Sequence, residues 1–149
     1  MPPFMPDRFE AGTMNLPGIM GLHAALCWLE QETIDAVRSH ELELTERFLS
    51  GALDIPCLRV VGRRDISGRA GVVSVVPENA DPALVADALG REYGIMVRVG
   101  LHCAPNAHKT LGTFPTGTIR FSFGRWNTPR QVDTALSALR ELCGRKSWN

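Results

Sequence analysis

Only one of the 149 residues is tyrosine and only two, Lys109 and Lys146, are lysine, while acidic and basic side chains balance at 16 each for a formal net charge of zero. No basic run and no interleaving of aromatic with basic residues occurs, so a nucleic-acid partner is not expected. No apolar stretch approaches the roughly 18–20 residues that a membrane helix needs, so no bilayer span is expected either. The opening MPPFMPDRFE lacks a charged segment leading into an apolar one, and no secretory leader is read from it. Four cysteines, Cys27, Cys57, Cys103 and Cys143, stand at wide and unequal spacings. They give neither a paired Cys-x-x-Cys zinc site nor a disulfide scaffold, and free thiols in a reducing cytoplasm are the expectation.

What is present is ordinary globular material: 44% apolar and 21% charged residues. A single domain over residues 1–149 is expected, and a chain of this size buries roughly 68–70% of its unfolded surface. After an irregular start rich in proline and glycine, Asn15 can cap a helix with Pro17 in its first turn. Ile19, Leu22, Leu26 and Leu29 recur on one face of that helix. Thr33 is a second cap, before a longer helix in which Ile34, Val37, Leu44 and Phe48 align. LRVVG (58–62) and GVVSVVP (71–77) read as strands. Asp81 or Pro82 opens a helix through Leu84, Val85, Ala88 and Leu89 that stops near Gly94. IMVRVG (95–100) reads as a short strand, HCAP as a loop and TIRFSFG (118–124) as a further strand. Thr128 and Pro129 start a last helix with Val132, Leu136, Leu139 and Leu142 inward. The order predicts an α+β fold, with helices on one face of a small, mostly antiparallel sheet. Cys27 and Cys143 fall in helical apolar stripes and read as core packing; Cys57 follows a proline in a connection.

Cys103 differs, because it sits in VRVGLHCAP (97–105) between a histidine and an alanine-proline pair. Gly100 permits a sharp turn before it. A thiol is nucleophilic only as thiolate, a form that nearby cations favour, and Arg98 and His102 are at hand to supply that field. Arg120, on the next predicted strand, carries a fork of donors that suits a carboxylate. On these grounds alone a second reading stays open, in which Cys103 is an ordinary loop cysteine and the arginines are surface residues. A metal site from His102, Cys103 and His108 lacks a fourth ligand, and no metal is expected.

Three blocks make the chain recognisable: RFEAGTMNLPGIMGLHAAL (8–26), VRVGLHCAP (97–105) and TIRFSFGRWNT (118–128). In order and spacing they resemble the C-terminal portion of cysteine desulfurases, the selenocysteine-lyase-like group of the class V aminotransferase superfamily, and the likeness runs through nearly the whole chain. The resemblance implies the small C-terminal domain of a fold-type-I pyridoxal 5'-phosphate enzyme. It implies that Cys103, in the Arg-x-Gly-x-His-Cys-Ala loop, is the sulfur acceptor. Arg120 then binds the substrate α-carboxylate, Arg98 is a second active-site arginine, and His102 stands beside them at the substrate. Gly12 and Thr13 would reach the cofactor phosphate of a neighbouring subunit, so a homodimer is implied. The implied substrate is L-cysteine, which leaves as L-alanine after Cys103 takes its sulfur as a persulfide for a sulfur-acceptor protein. Pyridoxal phosphate serves such chemistry as an electron sink, with the thiolate as nucleophile. Gly100, Gly112 and Gly117 suggest a mobile loop to deliver the persulfide.

One departure stands out. The family's cofactor-binding His-Lys motif lies on a large N-terminal domain, and none of that domain is recognisable here. AHKT (107–110) offers a His-Lys pair, but after the cysteine and in the wrong block; Lys109 reads as a solvated loop residue. The chain alone is therefore expected to be inactive as a desulfurase and to expose an apolar face that favours association. Two other readings are a non-catalytic persulfide carrier or interaction module and a class V aminotransferase relative without sulfur chemistry.

Overall fold

The computed structural model describes residues 2–145 and 148; Lys146 lies outside the described residues. Residues 1–36 and 37–149 form two compact units. In the first, a short 3-10 turn (Asp7–Phe9) precedes helix α1 (Leu16–Glu32). The Asn15 side chain accepts the Gly18 N–H at 3.1 Å, and Pro17 sits in the first turn where its missing N–H costs nothing. Thr33 stops α1 and accepts the Ala36 N–H at 3.2 Å, which starts α2 (Ile34–Leu53). The apolar stripe of α1 is not buried: no α1 residue is, and Leu16, Ile19, Met20, Leu22 and Leu26 are exposed. Cys27 is accordingly half-exposed rather than packed in a core, with its sulfur 3.7 Å from the His23 ring one turn earlier. Ile34 is likewise exposed. A periodic stripe tells which side of a helix is apolar, not that anything covers it.

The second unit is a four-stranded sheet covered on one face. Its strands are β1 (Leu58–Val61), β2 (Val72–Pro77), β3 (Arg98–Gly100) and β4 (Thr118–Ser122), arranged β1-β2-β4-β3 with every pair antiparallel. Alternation puts Val60, Val73, Val75, Ile119 and Phe121 on the buried face. There they meet Leu44, Phe48 and Leu49 of α2, Val85 and Leu89 of α3 (Pro82–Tyr93), and Val132, Leu136, Leu139 and Leu142 of α5 (Pro129–Cys143). The Phe48 and Phe121 rings lie 4.6 Å apart between centroids. Each such side chain contributes about 1.5–3 kcal/mol by leaving water. Cys143 belongs to this core, and burial together with contact from the Cys57 thiol pushes its own thiol up to about 12. The α+β architecture read from the sequence is thus the one observed.

Two local features depart from expectation, both near the thiol. β3 covers only Arg98–Gly100, because the Ile95 N–H is used on the Leu89 carbonyl at 2.9 Å to close the end of α3 and is lost to the ladder. The segment after Cys103 is not all loop. Pro105, at the first helical position, opens a six-residue helix, α4 (Pro105–Thr110).

Candidate functional site

The site grows from the register of β3 and β4. Arg98 pairs with Arg120, and Arg120 with Ser74 on β2, so the three side chains share one row on the sheet face opposite the packed helices. Two arginines directly across from each other repel, a local cost that a bound anion would remove. Arg120 is half-buried, and its Nε is buried with no hydrogen-bond partner. Paired across β3 and β4, the two arginines put cationic donors, of a kind that suits a carboxylate, on one face of the sheet.

Beyond Gly100 the backbone reverses in a tight turn closed by the Ala104 N–H on the Leu101 carbonyl at 2.8 Å. Both central residues are left-handed, His102 at φ 49° and Cys103 at φ 60°. Neither is glycine or asparagine, the residues that take this region readily, and each such placement costs on the order of 1–3 kcal/mol. Gly117 makes the turn's base workable. At φ 83°, a Cβ on it would lie 2.2 Å from the Gly100 carbonyl carbon and oxygen, so the two chains approach more closely than any side chain allows. The turn leaves the Cys103 thiol exposed, with Arg98 Nη2 3.7 Å from its sulfur.

His102 serves differently from the sequence expectation. Burial first, then the charges of Arg120, His108 and Arg98, holds its imidazole below the ordinary 6.5. It is therefore neutral near pH 7, and the cation beside the thiol is Arg98 alone of the two candidates. His102 Nε2 lies 3.1 Å from the Thr118 hydroxyl, while its Nδ1 is buried without a partner. Thr118, only 1% exposed, was not singled out by sequence reasoning. A threonine at the start of a strand carries no signal until the pairing places it under the histidine. His108 is also buried, with Nδ1 2.7 Å from the Thr113 hydroxyl and its ring 5.7 Å from that of His102. Among the described residues no three His, Cys, Asp or Glu side chains are grouped to hold a metal.

Of the residues read from the sequence, Cys103, Arg98, His102 and Arg120 are brought together in the second unit. Gly12 and Thr13 belong to the first unit, where both are exposed and Gly12 takes φ 84° with open space around it. No described helix is long and apolar enough to cross a membrane.

Residues 4–135 match the aminotransferase class-V family. A probable cysteine desulfurase of Pyrococcus abyssi is 40% identical over 139 residues, which is 92% of this chain and 33% of that protein. Probable cysteine desulfurase 1 of Mycobacterium leprae is 36% identical over 137 residues, 92% of this chain and 22% of its own length. Among solved structures, the apo cysteine desulfurase of Thermococcus onnurineus NA1 superposes with a TM-score of 0.84 at 36% identity, over 93% of this chain and 34% of that one. The cysteine desulfurase CsdA of Escherichia coli, in an S-sulfonic acid form, gives 0.77 at 30% identity, over 89% and 31%. The chain thus spans about a third or less of the length of these relatives.

Proposed function

The chain belongs to the class-V aminotransferase family, and from that footing we propose that it is the C-terminal, small-domain portion of a cysteine desulfurase, with residues 1–149 as one functional piece. In this reading Cys103 accepts sulfur from L-cysteine as a persulfide, L-alanine is released, and a sulfur-acceptor protein in the cytoplasm receives the sulfur. The observation that carries it is the exposed Cys103 thiol on its left-handed turn, 3.7 Å from Arg98 and beside the Arg98–Arg120 pair.

Each residue's part follows from its chemistry. Arg120, half-buried with an unsatisfied Nε, would grip the substrate carboxylate, and Arg98 adds a second charge to that grip. A substrate so held presents its sulfur to the turn, and orientation of that kind converts a chance encounter into a positioned one. Arg98 also favours the thiolate, the form able to make the new sulfur–sulfur bond. His102, neutral and hydrogen-bonded to Thr118, orients the turn at the substrate without adding charge.

Pyridoxal phosphate is the cofactor of this chemistry, but the described residues do not fit its ring. Lys109 is exposed on α4, with its ammonium over the Phe114 ring 5.4 Å from the centroid, and Lys146 lies outside the described residues. Gly12 and Thr13 offer backbone and hydroxyl donors for a phosphate only, in keeping with the proposed homodimer in which one subunit completes its neighbour's site. In this reading the lysine that holds the cofactor would come from sequence outside the match, which spans about a third or less of the relatives' length.

The test is a mass measurement on the full-length gene product turning over L-cysteine. The tryptic peptide from Val99 to Lys109 should gain the mass of one sulfur atom, and Cys103→Ser should lose both that gain and alanine release. Sulfur appearing on the peptide of Cys27, Cys57 or Cys143 instead would refute the assignment.

A further inference from the structure

The segment that returns from the thiol to β4 is fastened by a side chain to which the proposed chemistry gives no part. His108 is 5% exposed, in a six-residue helix that otherwise faces solvent. It is tied to Thr113 three times: the Thr113 N–H donates to the His108 carbonyl at 2.9 Å, the Thr113 hydroxyl lies 2.7 Å from ring Nδ1, and the same hydroxyl is 3.4 Å from the His108 carbonyl. Thr113 is itself 4% exposed, and its carbonyl accepts the Gly117 N–H at 2.7 Å. Gly117 lies against the Gly100 backbone, and the next residue, Thr118, pairs with Gly100 and meets His102. The His108 ring closes the circuit by lying 5.7 Å from the His102 ring. The chain of contacts runs from His108 through Thr113, Gly117 and Thr118 to His102, the residue directly before the thiol.

We propose that His108 is the positioning residue of the Cys103 turn: bonded to Thr113, it holds the base of the segment and the His102 ring so that the thiol stays beside Arg98. This rests on the sulfur-acceptor reading of Cys103. The physical reason is the strain already described. Two consecutive left-handed residues persist only where surrounding contacts over-determine them, and the His108–Thr113 tie is the buried polar contact that does so here. A swing of the whole segment, as its glycines suggested, would have to break that tie inside the protein, where a lost hydrogen bond is expensive. The Leu101–Ala104 turn is thereby held in place with the thiol beside Arg98, and an acceptor must come to the thiol.

The four cysteines fall in four different tryptic peptides, so iodoacetamide labelling of the 149-residue chain reads each one separately. In the wild type Cys103 should react fastest and buried Cys143 slowest. His108→Leu and Thr113→Val, which remove the side-chain part of the tie but keep apolar bulk, should slow Cys103 about tenfold relative to Cys27, the order expected when a thiolate loses a neighbouring cation such as Arg98. His108→Asn and Thr113→Ser, which restore a hydrogen-bonding partner in place, should recover most of the wild-type rate. Cys103 reacting at the wild-type rate in the Leu and Val variants, with Cys143 still protected, overturns the proposal. So does exposure of Cys143 in both variants, since that makes the pair a general support of the fold. A wild-type Cys103 no faster than Cys27 sinks the acceptor reading itself, independently of His108.

Discussion

Cys103 and His102 hold backbone angles that their side chains disfavour, and stability has to absorb the difference. Cys103→Gly should therefore raise the free energy of unfolding by about 1 kcal/mol in urea titrations, because glycine accepts the left-handed region without its steric penalty. Cys103→Ala, which removes the sulfur but not the Cβ, should leave stability within about 0.5 kcal/mol. Under the proposed function both variants should lose sulfur acceptance, so the pair separates what the thiol does from what its backbone costs. His102 gives a pH prediction. Its folded-state value is depressed below 6.5, so the unfolded chain binds more protons in the window just below 6.5. The contribution of neutral His102 is complete above that window and is lost as the pH falls through it. Stability measured from pH 7.5 to 5 should decline, and His102→Gln should flatten the part of the slope due to this residue.

The helix caps are where local sequence and structure agree best, because a cap needs only its own neighbours. Asn15, Thr33, Asp81 and Thr128 each accept a backbone N–H at a helix start. Thr128 also completes a capping box, with the Gln131 side chain returning to the Thr128 N–H at 3.0 Å. Thr128→Ala should cost about 1 kcal/mol in thermal or chemical unfolding; an unchanged midpoint would mean that the box contributes nothing. Elements whose form depends on distant partners were less legible. Six residues reading PNAHKT have no apolar period, so α4 was invisible, and His108 drew notice only as a metal candidate. The facing of Arg98 and Arg120 depends on the register between β3 and β4, which alternation along either strand does not set. Cys103 was legible as unusual, and its neighbours were legible by type. Their arrangement, including Thr118 beneath His102, was not.

At the scale of the molecule, burial is unevenly shared. The second unit carries the apolar core, whereas α1 in the first leaves Leu16, Ile19, Met20, Leu22 and Leu26 in solvent. Contiguous apolar surface of that kind favours association. Sedimentation of the isolated chain should therefore depend on concentration, and Leu22→Lys with Leu26→Lys should reduce that dependence; a strictly monomeric wild type at every concentration would contradict it. The sheet, by contrast, is protected at its margins. Its two outermost strands are also its shortest, four residues in β1 and three in β3 against six and five in the middle pair. A foreign strand arriving sideways finds few free backbone groups to copy, so ribbon-to-ribbon polymerisation into fibrils has little template here even when helices on neighbouring copies stick together.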